Sequence, residues 1–357
     1  MRKLFIISAI TILTFAIVSC GNTNSKSKKA SKETVSLTGA GATFPLPFYN
    51  LAFKTYTKAG NELVTYGGIG SGGGIRSLTN RIVDFGATDA YLSDKKMAKM
   101  PMPIVHIPTC MGAVVVAFNL NGVKDLKLSQ EVLADIFLGK IKKWNDSRIK
   151  KINPNASLPN MDITVVYRSD GSGTTYVFSN YLSKISSEWS NKIGFAKSLQ
   201  WPTGIAAKGN PGVAGTIAQT KGSIGYIGSE YAFSLNIPVA ALQNKSGRYI
   251  KASLESISKA ASAKIPEDTR VMLTDSEAVD AYPIACFTWI ILYKEQSYKS
   301  RSLARAKTLV KMLNWMLDDK AQSMTSKVHY APLPNTAREY AKNILKQVTY
   351  DGKSVIK

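Results

Sequence analysis

An α/β fold, with strands and helices alternating in a doubly wound arrangement, is what this sequence predicts. The first observation is that short β-branched or apolar runs alternate with helix-period segments along the chain after residue 34. The second is that three of these runs end in turns of small residues that lead straight into a helix, the way an α/β unit passes from strand to helix. The third is composition. The chain has 357 residues, 45% hydrophobic and 20% charged, which excludes a disordered or collagen-like chain and predicts about two domains of ~150 residues.

Residues 35–37 read as the first strand, and Gly39-Ala40-Gly41-Ala42-Thr43-Phe44-Pro45 turns from it into a helix through Tyr56. Residues 63–66 form the second strand, followed by a glycine run at 67–74 and a helix from Ile75. A third strand at 83–87 closes on Thr88-Asp89. Residues 114–118 are a continuous β-branched and apolar run, the pattern of a strand buried on both faces. Another strand at 163–167 passes through Arg168-Ser169-Asp170-Gly171-Ser172-Gly173-Thr174-Thr175 into a helix that reaches Leu182. Residues 222–227 and 288–293 read as further strands, and 304–319 as a late amphipathic helix. No internal repeat is visible.

The leader carries a separate message. Arg2 and Lys3 precede an uncharged apolar run at 4–18 and then Ser19-Cys20-Gly21, the order of a secretory signal. Its apolar run is shorter than the ~20 residues a spanning helix needs. The stretch Ile17-Val18-Ser19-Cys20-Gly21 also resembles a bacterial lipobox, which implies a signal peptide at 1–19 and Cys20 as a lipidated N-terminus. An ordinary secretory signal with an incidental cysteine is the plainer alternative. The segment at 20–35 offers almost no apolar surface and reads as a flexible tether. No later segment has the length and apolarity of a membrane span, so the expectation is an exported protein, lipid-anchored and facing the periplasm or cell exterior.

Charge narrows the partners. The chain has 46 Lys or Arg against 24 Asp or Glu, a formal net charge of +22. Only six of the basic residues and one of the acidic lie in residues 1–34, so the body keeps most of the excess. Export and the lack of basic runs interleaved with aromatics argue against nucleic acid. The clusters at 140–143 and 150–151 read as solvated faces. Three cysteines exclude a disulfide scaffold, two histidines make a His-rich metal enzyme implausible, and no Cys/His/Asp spacing suggests a zinc site.

The three turns share one chemistry: a hydroxyl among small residues just where a helix begins. They present Thr43, Ser71 and the trio Ser172, Gly173 and Thr174. A helix N-terminus offers unpaired N–H groups and about half a positive charge, and glycine lets an anion approach that backbone. Each turn alone is equally well a capped helix start, because Ser and Thr are common caps. Gly68-x-Gly70-x-x-Gly73 matches a dinucleotide fingerprint, but it is one of three similar turns in an exported chain. The turn at 171–174 lacks the lysine and glycine spacing of a P-loop.

Five stretches taken together carry a family resemblance. They are Thr38-Gly39-Ala40-Gly41-Ala42-Thr43-Phe44-Pro45, Gly68-Ile69-Gly70-Ser71-Gly72-Gly73, Val83-Asp84-Phe85-Gly86-Ala87-Thr88-Asp89-Ala90, Phe137-Leu138-Gly139-Lys140-Ile141-Lys142-Lys143-Trp144-Asn145-Asp146 and Arg168-Ser169-Asp170-Gly171-Ser172-Gly173-Thr174. In this order they resemble the phosphate-binding proteins of bacterial Pst-type phosphate ABC transporters. The resemblance implies a two-lobe, type II periplasmic-binding-protein fold with a ligand cleft between lobes joined by two crossover strands. It places lobe I at 36–108 plus 287–357 and lobe II at 109–286. It implies a monomer that binds inorganic phosphate and meets the membrane permease subunits of the importer, with no cofactor, no metal and no catalysis. The phosphate ligands it implies are Thr43, Phe44 through its backbone N–H, Ser71, Asp89, Arg168, Ser172, Gly173 and Thr174, with Asp170 holding Arg168 in place. Two positions depart from the family pattern: Tyr91 stands where a proline is common, and Gly72 where a second serine can occur.

Rival readings fall into other classes. A binding protein for another tetrahedral oxyanion, sulfate or molybdate, is separated by Asp89: a buried carboxylate accepts a hydrogen bond from an anion that keeps a proton and repels one that has none. An exported hydrolase lacks a Gly-x-Ser-x-Gly elbow, and His106 reads as a packed histidine rather than a base. Cys110 and Cys286 fall one in each implied crossover segment, which leaves open a disulfide between them or two buried thiols acting as small apolar fillers.

Overall fold

The computed structural model describes residues 35–262 and 264–356. The expected signal peptide, Cys20 and the tether up to Thr34 lie outside the described residues. Eleven strands build the main sheets: β1 Ser36–Gly41, β2 Leu63–Gly68, β3 Phe85–Thr88, β4 Ile104–Phe118, β5 Lys127–Leu128, β6 Thr164–Arg168, β7 Ile205–Ala207, β8 Ser223–Gly228, β9 Ala241–Gln243, β10 Tyr249–Ile250 and β11 Ala285–Tyr293. Eight of them form one sheet in the order β2-β1-β3-β11-β4-β8-β6-β7, and β10-β9-β5 form a small sheet beside it.

The large sheet has two parallel halves and an antiparallel centre. β1 pairs parallel with β2 and β3, and β6 pairs parallel with β7 and β8. Between them β11 runs antiparallel to both β3 and β4, and β4 antiparallel to β8. This is the two-lobe α/β architecture, with β4 and β11 as the connecting strands. Residues 104–113 of β4 pair with β11 and residues 114–118 with β8, so one 15-residue strand belongs to both halves. At about 3.3 Å per residue it spans roughly 50 Å. Every residue of β4 except Val105 is buried, and every residue of β11 is buried, as strands covered on both faces must be.

The sequence pattern identifies only the last third of β4. His106, Pro108, Thr109, Cys110 and Gly112 interrupt the apolar run before it, and the register explains how the sheet accommodates them. Thr288 pairs with Cys110 and Trp289 with Pro108, which leaves Thr109 as an extra residue, a β-bulge. Pro108 sits at this irregularity, where the lost ladder donor does least harm. Thr109 is tied in by its hydroxyl to Tyr49 at 2.9 Å, and its carbonyl accepts from Gln322 Nε2 at 2.9 Å. His106 is buried, its Nε2 accepts from the Leu92 N–H at 3.0 Å, and burial pushes its pKa down to about 3. It is a packed neutral histidine.

Cys110 and Cys286 are both buried free thiols. Cys110 faces Thr288 across the ladder and Cys286 faces Gly112, so the two sit two positions out of register. The disulfide alternative is thereby overturned, and the thiols pack as small apolar groups.

The C-terminal segment is tied to the first half by one buried carboxylate. Asp84 accepts from the Thr38 N–H at 2.7 Å, from Arg305 Nε and Nη2 at 2.7 and 2.9 Å, and from Arg301 Nη1. Burial works to raise its pKa, but the two guanidinium groups outweigh it and hold the carboxyl below its usual range. Asp84→Ala leaves the Arg301 guanidinium, with a side chain 8% exposed, without its carboxylate. The expected loss is about 3–5 kcal/mol, the range for breaking a buried pair. Urea unfolding checks it, and a loss below ~1 kcal/mol would contradict the assignment.

Candidate anion-binding site

The first turn is held by three phenols. After β1 the carbonyls of Ala42, Thr43 and Phe44 accept from the hydroxyls of Tyr66 (2.7 Å), Tyr231 (2.5 Å) and Tyr330. These tyrosines come from β2, from the helix Ser229–Ser234 after β8 and from the C-terminal segment. In a trans peptide the C=O and the following N–H point in opposite directions. Fixing the Thr43 carbonyl therefore also aims the Phe44 N–H. Thr43 itself is buried, and its Oγ1 accepts from both the N–H and the Nδ2 of Asn210 at 3.1 Å.

The second turn carries Ser71, which opens the helix Ser71–Thr79 four residues earlier than the sequence pattern suggests. Its buried Oγ accepts from the Gly173 N–H at 3.0 Å and the Asp89 N–H at 3.4 Å. Glycine is required on the facing side: a Cβ at Gly173 would stand 2.5 Å from Ser71 Oγ and 2.6 Å from Asp89 Oδ2. Asp89 follows β3 and is 1% exposed. Its Oδ1 accepts from Thr288 Oγ1 at 2.9 Å and its Oδ2 from Thr174 Oγ1 at 3.4 Å. Burial pushes its pKa up to about 7, against the pull of Thr288, Arg168 and Lys197.

The third turn follows β6. The Arg168 side chain is 1% exposed, and Asp170 grips it with two parallel bonds, Nε to Oδ1 at 2.7 Å and Nη2 to Oδ2 at 2.5 Å. Such a fork fixes the guanidinium plane and leaves Nη1 directed at Thr174 Oγ1, 3.5 Å away. Asp170 is fixed in turn by the Gly209 N–H at 2.9 Å, and the Arg168 pairing holds its pKa low in spite of burial. Ser172 caps the helix Gly173–Ile185 by accepting from the Thr175 N–H at 3.0 Å.

Thr43, Phe44, Ser71, Asp89, Arg168, Asp170, Ser172, Gly173 and Thr174, scattered over more than 130 positions of sequence, are thus gathered where the two halves of the sheet meet. Four residues absent from the sequence reading belong to the same place. Asn210 joins the two sides, bonding Thr43, Thr174 Oγ1 at 3.2 Å and the Gly228 N–H at 3.1 Å. Thr288 presents the hydroxyl that holds Asp89. Lys197 reaches the Ala90 carbonyl. Glu230, 1% exposed, is raised well above the usual carboxylate range by burial, with the charge of Asp89 adding to the effect. Asn210 follows a glycine at a helix start, the one local signal that could have marked it; the other three have none. Among the described residues no group of three or more His, Cys, Asp or Glu is placed to hold a metal ion.

The arrangement combines backbone N–H groups, hydroxyls and one guanidinium with the buried carboxyl of Asp89. Residues 27–320 match the model of the PBP superfamily domain. The chain is 40% identical over 321 residues to the phosphate-binding protein PstS of Haemophilus influenzae, covering 87% of this chain and 94% of the relative. It is 37% identical over 333 residues to PstS of Xylella fastidiosa strain 9a5c, covering 92% and 88%. The chain belongs to the PstS family. The fold of this PstS family member is also that of the crystal structure of a phosphate-binding protein from Stenotrophomonas maltophilia, with a TM-score of 0.67, 20% identity, and 87% and 93% of the two chains covered.

Burial of Asp89 predicts a pH signature in this PstS family member. The folded protein binds the Asp89 proton more tightly than the unfolded chain, whose pKa is near the ordinary 3.8. Stability from this group is therefore complete at low pH and lost as pH rises from about 4 through about 7. Asp89→Asn should gain stability relative to the native protein between pH 5 and pH 8 in urea unfolding. An equal difference at both pH values would contradict it.

Proposed function

We propose that this chain binds inorganic phosphate between its two lobes, outside the cytoplasmic membrane, and delivers it to the permease subunits of an ABC importer. The observation that carries the reading is the pairing of opposites at one buried place: Arg168, locked by Asp170, faces the Asp89 carboxylate through Thr174. The guanidinium, the hydroxyls of Thr43, Ser71, Ser172 and Thr174 and the N–H groups of Phe44 and Gly173 supply donors for a tetrahedral oxyanion. Asp89 reads what remains. A phosphate that keeps a proton donates a hydrogen bond through it to the carboxylate, whereas sulfate has none and meets a like charge in a dehydrated site. The relatives' names, phosphate-binding protein, support the same ligand.

The reading extends to the whole chain. Lobe I is residues 36–108 with 287–357 and lobe II is 109–286, and β4 and β11 carry the hinge. The signal peptide ends at residue 19, and lipidated Cys20 tethers a monomeric body to the bacterial membrane. No helix among the described residues is long and apolar enough to cross a membrane. Delivery needs no bond to be made or broken, so no catalytic residue is assigned.

Calorimetric titration with phosphate tests the ligand assignment. Arg168→Ala should weaken binding by roughly 2–5 kcal/mol, as expected when one partner of a buried charged contact is truncated. Asp89→Asn should cost less phosphate affinity while narrowing the preference over sulfate; undiminished discrimination would defeat the proton-reading account. The anchor is checked by radioactive fatty acid. The native protein should be labelled and Cys20→Ala should not, and an unlabelled native protein would refute the anchor.

A further inference from the structure

Lys197 lies in the loop between the helix Ser187–Lys192 and β7, and it bonds both sides of the anion-binding site. Its carbonyl accepts from the N–H of Ser172, the cap of the site's third turn, at 2.8 Å. Its side chain crosses to the other half of the sheet, where Nζ donates to the carbonyl of Ala90, the residue after Asp89, at 3.1 Å. The Thr88 hydroxyl donates to that same carbonyl at 2.7 Å, so the strand end that presents Asp89 is gripped from two directions. The ammonium lies 5.0 Å from the centre of the Tyr176 ring, which packs edge-on against Phe195. A cation so placed is attracted to the negative face of the ring.

We propose that Lys197 is a positioning residue for phosphate, a latch that holds the Asp89 strand end against the Ser172 turn and slows release of the bound anion. The proposal rests on the phosphate-binding reading above. The geometry gives Lys197 two roles. Its backbone fixes one set of donors, and its side chain fixes the residue next to the carboxylate on the opposite side. The positive charge also acts directly on the site: it favours the ionised form of Asp89, the form that accepts a hydrogen bond from a protonated ligand. Burial pushes the Lys197 pKa down to about 8, as expected of an ammonium turned inward rather than solvated. A bond that must break before the two sides part acts on the dissociation rate more than on association.

The test is a chase on the full processed protein. Protein loaded with labelled inorganic phosphate is diluted into excess unlabelled phosphate, and the retained label is followed by rapid filtration. Lys197→Met keeps the length of the stem and removes the charge and donor. It should release label about tenfold faster, equivalent to about 1.4 kcal/mol. Association should stay within about threefold, and the melting temperature without phosphate within about 2 °C. Lys197→Arg, which keeps both charge and donors, should release at close to the native rate. Native release kinetics in Lys197→Met would overturn the latch while leaving phosphate binding intact. So would a variant whose only defect is a lower melting temperature, or equally fast release from the Met and Arg variants. A native protein that retains no labelled phosphate overturns the latch and the binding reading together.

Discussion

The bulged pairing of β4 with β11 is the constraint on which the rest of this structure depends. The two parallel half-sheets are joined by a strand that belongs to both, β4, which pairs first with β11 and then with β8. The bulge at Thr109 is where this long pair stays in contact while its register shifts. Directly opposite lies Thr288, whose hydroxyl holds Asp89. The same irregularity that accommodates Pro108 therefore also sets the carboxylate of the candidate site. A regular ladder would shift the pairing on one side of this point by one residue and turn those side chains to the other face of the sheet.

Electrostatics divides the buried charges into two kinds. Arg168 and Asp170 form a closed fork, as Asp84 does with Arg301 and Arg305, and in both cases pairing outweighs the desolvation of the carboxylate. Asp89 and Glu230 have no such partner; burial dominates, and both carboxyls are raised. Paired charges make a fixed scaffold. An unpaired acid close to neutrality can exchange a proton with whatever faces it, and on the proposed reading that property distinguishes phosphate from sulfate.

The parts of the fold visible in sequence are those written in contiguous residues. The turns at 39–45, 67–74 and 168–175 announce themselves by glycine and hydroxyl content, and the α/β class follows from their alternation with apolar runs. The first ten residues of β4 do not, because a bulge allows Pro108 and Thr109 inside a buried strand and the Phe44 ring leaves no room for a Cβ at Gly112, which together erase the pattern that marks one. Long-range partners are equally silent. Nothing around Tyr66, Tyr231 or Tyr330 marks them as holders of three consecutive carbonyls, and Thr288 reads only as a strand residue. Ser71 is visible, but the sequence pattern starts the helix at Ile75, since three glycines in a row are poor helix formers and only the contacts of the packed turn compensate. The thiols at 110 and 286 show the opposite failure: the expected proximity of their strands says nothing about register, and register decides pairing.

The central claim is that a buried carboxylate selects a tetrahedral anion that still carries a proton. Equilibrium dialysis of the purified protein against labelled phosphate, with sulfate and arsenate as competitors from pH 5 to pH 8, tests it most directly. The account predicts that at pH 8, where Asp89 is ionised, arsenate, which still keeps a proton, displaces the label, while sulfate at the same concentration leaves it bound. Displacement by sulfate as effective as that by arsenate would contradict the claim, as would a protein that retains no labelled phosphate.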